Sequence, residues 1–447
     1  MPPGRSQRGA VSRRAVLRAA ALSAAALPVA TGAAGCASVS SAALRVAVVW
    51  SGAELEAFRA VLNPFRRQFH DVQVLSVGDD VTALLGSDVA RSAEADVVMV
   101  SQAGALDTYA NRIEELRPDA EQGYPGAWQQ VVRDPAGRPR GVVFKATLTS
   151  LVWYQPRLFD LLGLTPPTTW EAWITVNQRL LAAGVAPLAI GAADGWVLSQ
   201  WFENTLIGES TDVYDRLAAP PGSAQRAGVT WRDPAVTRSL WRLGTMWSPP
   251  GALAGGARRA LSTQFTDSVL DVFRRDRAAM VVGADYVYPI LVRYAAADAS
   301  PRWFRFPAPA RAHGAPAVVG GDIAVLLRPA RPVGHELIGW LASAQAQRIW
   351  AGRGGYISVR DGVEPDAYPG DWGLYQQPVL DAVRTPADGT VHFSLADQLG
   401  GALQSGPGTG LWQVLQDFFG QVGGGGGVAS AVDQAVATLD RLDRSER

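Results

Sequence analysis

Between residues 44 and 101 short apolar runs alternate with amphipathic ones, and this restricts the fold more than any other feature. Leu44-Arg-Val-Ala-Val-Val-Trp50 reads as a buried strand and Ser51-Gly52 as a turn. Leu55, Phe58, Val61, Leu62, Phe65 and Phe69 then recur at helical spacing, with Pro64 predicting a kink or break. Val72 to Val77 is a second strand, Val81 to Ala93 a helix, and Asp96 to Ser101 a third strand. Strand–helix alternation at this spacing implies a parallel sheet with helices on its faces. Ligands bind beyond the carboxyl ends of such strands, which is where Trp50, Glu54, Ser101 and Gln102 fall.

A chain of 447 residues has room for two lobes with separate cores. Further along, Pro167-Thr168-Thr169-Trp170-Glu171 opens a helix, Thr168 and Glu171 having capping-box spacing. Ala186 to Ile190 reads as a strand, and Gly423 to Gly427 as a flexible surface loop. Val428, Val432, Val436, Leu439 and Leu442 make one apolar helical face. Removing the first 35 residues, which hold five arginines and no acid, leaves 36 basic and 41 acidic residues, net −5. That balance carries no electrostatic footprint for nucleic acid. His335-Glu336 lacks the second histidine of a zinc-protease motif, no Walker A loop or Gly-x-Ser-x-Gly elbow occurs, and Gly406 to Gly410 lacks the phosphate-loop lysine. No metal and no cofactor are expected.

The N-terminus has the parts of an export signal over residues 1–35: a basic stretch to Arg18, a small apolar stretch from Ala19, then Ala33-Ala34-Gly35-Cys36. This tetrapeptide resembles a lipobox with Ala where Leu is usual, which implies diacylglycerol on Cys36 and a tether over 36–43. Arg13-Arg14 resembles the twin-arginine export signal, and a generic basic region is the equal alternative. Past the leader no stretch reaches the ~20 apolar residues of a spanning helix. The expectation is a protein held by lipid to the outer face of the cytoplasmic membrane.

Gly141-Val-Val-Phe-Lys145, Ser150-Leu-Val-Trp-Tyr154, Leu158-Phe159, Gly163-Leu164 and Pro166-Pro-Thr-Thr-Trp170-Glu171 follow one another in order. Trp231-Arg-Asp-Pro234, Ala278-Ala-Met280, Val319-Gly-Gly-Asp322, Trp340-Leu-Ala-Ser343 and Gly354-Gly-Tyr356-Ile357 come after them. In this order they resemble the family 1 extracellular solute-binding proteins, the maltose-binding-protein-like group, over most of residues 44 to 420. The resemblance implies an α/β, two-lobed periplasmic-binding-protein-like fold of type II. Each lobe would be a mixed, mostly parallel sheet flanked by helices, joined to the other by hinge strands. Lobe 1 would comprise 44–147 plus 276–318, and lobe 2 148–275 plus 319–447. It also implies a monomer that captures a carbohydrate in the cleft and delivers it to an ABC permease with a separate ATPase, closing about Leu148 to Val152 and Gly320 to Asp322.

A sugar offers C–H ring faces to aromatic side chains and a rim of hydroxyls to carboxylates, amides and cations. The candidate ligand contacts are Glu54, Gln102, Lys145, Trp196, Asp285, Tyr286, Gly321, Asp322, Tyr356 and Trp412. Glu54 also suits a helix N-terminus and Gln102 a helix cap. Lys145, the sole lysine, suits either a ligand or a structural ion pair. Asp285 is open between the two roles, and Gly321 would admit a close ligand at a crossing. Trp173, Trp241, Trp340 and Trp350 are expected in packing. Two other classes stand beside this reading: a secreted glycan-acting enzyme using a carboxylate pair, and a scaffold lipoprotein with no small ligand.

Overall fold

Strand β1 (Leu44–Val48) pairs in parallel with β2 (Val72–Ser76) on one side and β3 (Val97–Val100) on the other. Its apolar run leaves Val46, Ala47 and Val48 without exposed surface. Helix α1 (Gly52–Gln68) lays Ala57, Phe58, Val61, Leu62 and Phe65 into this core. It runs on through Pro64, with buried Leu62 and Phe65 holding that turn in place, so the expected break does not occur. The computed structural model describes residues 43–68, 71–78, 85, 95–220, 223–309, 317–386, 391–406 and 408–445. Phe69, the helix expected over 81–93 apart from buried Leu85, and the leader with Arg13, Arg14 and Cys36 lie outside them.

The first sheet has the order β2-β1-β3-β8-β4, with β4 spanning Val142–Leu148 and β8 Val318–Leu326, and β9 (His392–Phe393) pairs with β8. The β1–β2, β1–β3 and β8–β9 pairs are parallel, whereas β8 runs antiparallel to β3 and β4. A separate sheet, β6-β5-β7, places β5 (Leu151–Tyr154) between β6 (Met280–Val282) and β7 (Arg302–Arg305), all antiparallel rather than mostly parallel. The strands within 276–309, expected to rejoin the first sheet, therefore do not. They pair with β5, and it is β8 that returns. Eight of its nine residues are buried, as a strand flanked on both sides must be.

Helices on the side of the second sheet include α2 (Trp170–Ala182), α3 (Trp196–Glu209), α4 (Thr211–Ala218), α5 (Pro234–Trp247) and α6 (Val287–Tyr294) after β6, whereas α7 (Ala344–Ala351) packs on α1. The cap of α2 is Thr169, whose Oγ1 accepts from Ala172 N at 3.2 Å, one residue after the expected Thr168. Ala186 to Ile190 forms bridges through Leu188 to Leu253 and Met280 rather than a strand.

Three segments pass between the sheets. Thr149 N and Oγ1 both donate to the Val318 carbonyl at 3.0 Å, and Val318 N donates to Ser150 Oγ at 2.8 Å, which locks the first two crossings together. The third runs from β9 through α8 (Leu395–Gln398) to α9 (Gly410–Gly423), which packs with α10 (Val428–Arg444) on α3 and α5. This strap is fastened by Glu203 of α3, whose Oε1 accepts from Ala396 N at 3.0 Å and Ser394 Oγ at 3.2 Å. Burial, with Asp397 nearby, pushes the Glu203 carboxyl up to about 8.

A carboxyl raised in the fold keeps its full contribution below its unfolded pKa and loses it as pH rises through the folded value. Glu203→Gln should therefore match wild-type stability near pH 4.5 and exceed it at pH 8.5 by on the order of a few kcal/mol. Thermal melts across that range check this, and a pH-independent difference would contradict it.

Candidate functional site

The two sheets meet at a cluster centred on Lys145. In β4 the register slips between Val143 and Lys145, so Phe144 is an extra residue and Lys145 pairs with Asp322 of β8. Bulges of this kind re-aim a side chain. Here the ammonium lies between Glu54 at the start of α1, which it contacts directly, and Asp322, with Nζ 3.8 Å from Oδ2. Asp322 is held from two further strand ends: Trp50 Nε1 donates to Oδ2 at 2.8 Å and Ser101 Oγ to Oδ1 at 2.6 Å. Nζ lies 5.9, 5.8 and 5.6 Å from the ring centroids of Trp50, Tyr286 and Trp350. Burial alone would lower the lysine's pKa, but Glu54, Asp322 and Asp285 outweigh it, and the net shift is upward. Lys145 is thus charged, and the surrounding carboxyl groups outnumber it.

The opposite wall belongs to the second sheet and its helices. Asp285 and Tyr286 follow β6 and precede α6. Asp285 is fully buried, its Oδ1 accepts from Leu148 N at 3.0 Å, and its Oδ2 has no partner. Burial pushes its carboxyl up to about 7 against the pull of Lys145. The Tyr286 hydroxyl accepts from Gln200 Nε2 of α3 at 2.6 Å. Trp196, the first residue of α3, meets the Tyr286 ring edge-on at 5.8 Å and Phe265 at 5.0 Å. Trp412 of α9 lies against Gly195, where an added Cβ would come within 2.7 Å of the Trp412 Cβ. Its Nε1 is buried without a partner.

Of the ten candidates, Glu54, Lys145, Asp322, Asp285, Tyr286 and Trp196 form one connected group, and Trp412 borders it through Gly195. Three are placed differently. Tyr356 is fully buried, stacks on Trp350 at 5.4 Å and donates its hydroxyl to the Phe144 carbonyl at 2.6 Å, so its apolar and polar parts are both committed to the core. Gln102 is tied to the strap through the Ser405 carbonyl and Gln404. Gly321 lies inside β8 rather than at a crossing, and a Cβ there would sit 2.4 Å from the Lys145 carbonyl oxygen, so close strand approach explains the glycine. Trp173 and Trp350 are core as expected, and Trp340 donates to Val61 O at 3.0 Å, but Trp241 is 45 % exposed.

Sequence reasoning missed Gln200, Glu203 and Asn204. They are buried polar residues on a helix whose interior is buried all round. Gln200 Oε1, Glu203 Oε2 and Asn204 Oδ1 have no hydrogen-bond partner. Their spacing of four to eight residues from Trp196 puts Gln200 and Asn204 on its face of the helix, a signal present in the sequence. Buried polar atoms are nearly always satisfied in folded proteins, and Gln200 Oε1 and Asn204 Oδ1 are amide acceptors on this helix left without a partner among the described residues. Among the described residues no cluster of metal-ligating side chains occurs.

The family described as bacterial extracellular solute-binding protein matches residues 50–348. The osmoprotective compounds-binding protein GgtB of Synechocystis sp. is 26% identical over 390 residues, covering 84% of this chain and 88% of that one. The alpha-glucosides-binding periplasmic protein AglE of Rhizobium meliloti is 23% identical over 285 residues, 62% of this chain and 59% of that one. Among solved structures, the solute-binding protein RafE in complex with raffinose superposes with a TM-score of 0.68 at 16% identity, over 90% of this chain and all of that one. The fold is therefore the two-lobed one.

The ion cluster makes a direct prediction. Lys145→Met leaves the carboxylates facing one another in a buried site and should cost roughly 3–5 kcal/mol in urea unfolding at pH 8. The loss should shrink at pH 5.5, where Asp285 is protonated. Unchanged stability at both pH values would contradict the buried cluster.

Proposed function

The chain belongs to the bacterial extracellular solute-binding proteins, and from that premise we propose that it captures a carbohydrate between its two sheets and hands it to an ABC importer. The observation that carries this reading is the pairing of a charged rim (Glu54, Lys145, Asp322) with an aromatic face (Tyr286, Trp196) across the line where the sheets meet. Hydroxyls match the rim and ring C–H faces match the aromatics. The alpha-glucosides in the name of AglE, and raffinose in RafE, support the same ligand class.

Family membership puts the protein outside the cytoplasm. We read the finer arrangement as a monomer anchored by lipid on Cys36 after export on the leader, either by the twin-arginine route of Arg13-Arg14 or by the general one. One lobe comprises 44–148 with the β8 and β9 region, and the other 151–305 with 410–444. Capture is closure about Thr149-Ser150, the segment before β8 and the strap, a hinge motion with no covalent step. Turnover has no role in it: a raised carboxyl such as Asp285 serves as a buried contact rather than as an acid for glycoside cleavage. The closed form then docks on a permease whose separate ATPase drives uptake.

A thermal-shift panel of neutral sugars, polyols and glycerophosphodiesters on residues 37–447 tests this. A neutral saccharide at 100 times its Kd should add about 2.7 kcal/mol of stability and be recovered unchanged. A hit that is hydrolysed would identify an enzyme, and a response only to glycerophosphodiesters would remove the carbohydrate assignment.

A further inference from the structure

Gln200 lies on the second wall of the site, bonded to Tyr286. Its residue is 9 % exposed, its Nε2 donates to the Tyr286 hydroxyl at 2.6 Å, and its Oε1 is buried with no partner. The Tyr286 ring is in turn 5.8 Å from the Lys145 ammonium. Asn204, one turn further along α3, fixes the backbone beneath: its Nδ2 donates to the Gln200 carbonyl at 2.8 Å and to the Thr149 carbonyl at 3.2 Å. Gln200 is therefore positioned from below and engaged on one side, with one acceptor left open.

The directions of these bonds define what can complete them. Because the Tyr286 oxygen accepts from Gln200, the tyrosine's own proton is free to be donated. The open Gln200 Oε1 requires a donor. One small group supplies both, an alcohol that donates to the amide oxygen and accepts from the phenol. An ether or fluoride accepts without donating, and a deoxy carbon does neither. A carboxylate or phosphate would bring negative charge into a cluster where Glu54, Asp322 and Asp285 already outnumber Lys145.

We propose that Gln200 and Tyr286 together read one free hydroxyl of a neutral ligand and reject analogues in which that hydroxyl is deoxygenated, alkylated or replaced by an acid. This rests on the carbohydrate-capture reading above. It adds a residue that sets specificity within it, the amide on α3, and an exclusion of anionic sugars.

The test is isothermal titration calorimetry of the full exported chain with glucose, galactose, xylose and sucrose, then with the monodeoxy and mono-O-methyl derivatives of whichever binds, and with the matching uronic acid. In wild type, one deoxy position should lose about 10- to 100-fold in affinity, the consequence of leaving a buried acceptor unpaired, and the uronic acid should not bind. In Gln200→Leu the parent sugar should weaken by a similar factor, while that one deoxy derivative keeps its wild-type affinity and the discrimination falls to near one. Gln200→Glu, which keeps an acceptor but adds charge, should weaken the parent without restoring the deoxy derivative. If Gln200→Leu weakens every derivative equally, Gln200 is only structural and the proposal fails while carbohydrate capture stands. If the full deoxy pattern survives in Gln200→Leu, the hydroxyl is read elsewhere, with the same consequence. If wild type binds none of the four sugars, the capture reading fails first and takes this proposal with it.

Discussion

A single buried ammonium organises the region where the two sheets meet. Lys145 is 3 % exposed, and an ion so placed is tolerated only when opposite charges and hydrogen bonds replace its water. Meeting that requirement draws on separate parts of the chain: the bulge in β4, Asp322 on the returning strand, Glu54 at the head of α1, and the Trp50 and Ser101 donors at the ends of β1 and β3. Four elements of the first sheet thus converge on one point at its carboxyl edge. The Tyr286 ring from the other sheet covers that point. An alteration at this point is felt by both halves.

The second half contributes polarity of another kind. Its buried groups on α3 and after β6 are amides and carboxyls with unpaired oxygen atoms, where the first half offers a compensated ion network. In a solute-binding protein, an unsatisfied wall opposite a satisfied one fits the capture reading proposed above. On that reading the satisfied wall is preorganised, and the unsatisfied one gains its bonds when a ligand arrives. The strap through α8 adds a third tie between the halves, so any opening also has to accommodate the contacts of Glu203 with Ser394 and Ala396.

Much of the first sheet was legible, because β1, α1 and β3 announce themselves by period and run length. The destination of later strands was not. Met280–Val282 and Val318–Leu326 are both short apolar runs, and nothing in their composition states which sheet each joins; that is decided by β5 on one side and by the gap between β3 and β4 on the other. The site followed the same division. Glu54 at the head of α1, Lys145 within β4, Asp322 within β8 and Tyr286 after β6 were candidates from their places along the chain, and the structure brings them together. Tyr356 was misplaced because a tyrosine after two glycines gives no sign that its hydroxyl is bonded to the Phe144 carbonyl. Gln200 and Asn204 were overlooked because buried polar residues inside an apolar helix look like ordinary helix filler until their neighbours are known.

The most direct test of the account is a crystal structure of residues 37–447 grown with a neutral sugar that raises its melting temperature. The account predicts density for the sugar between the Lys145 cluster and the Tyr286–Gln200 wall, with its ring against Tyr286 or Trp196. Density on an outer face, such as that around exposed Trp241, with nothing between the sheets, would contradict it.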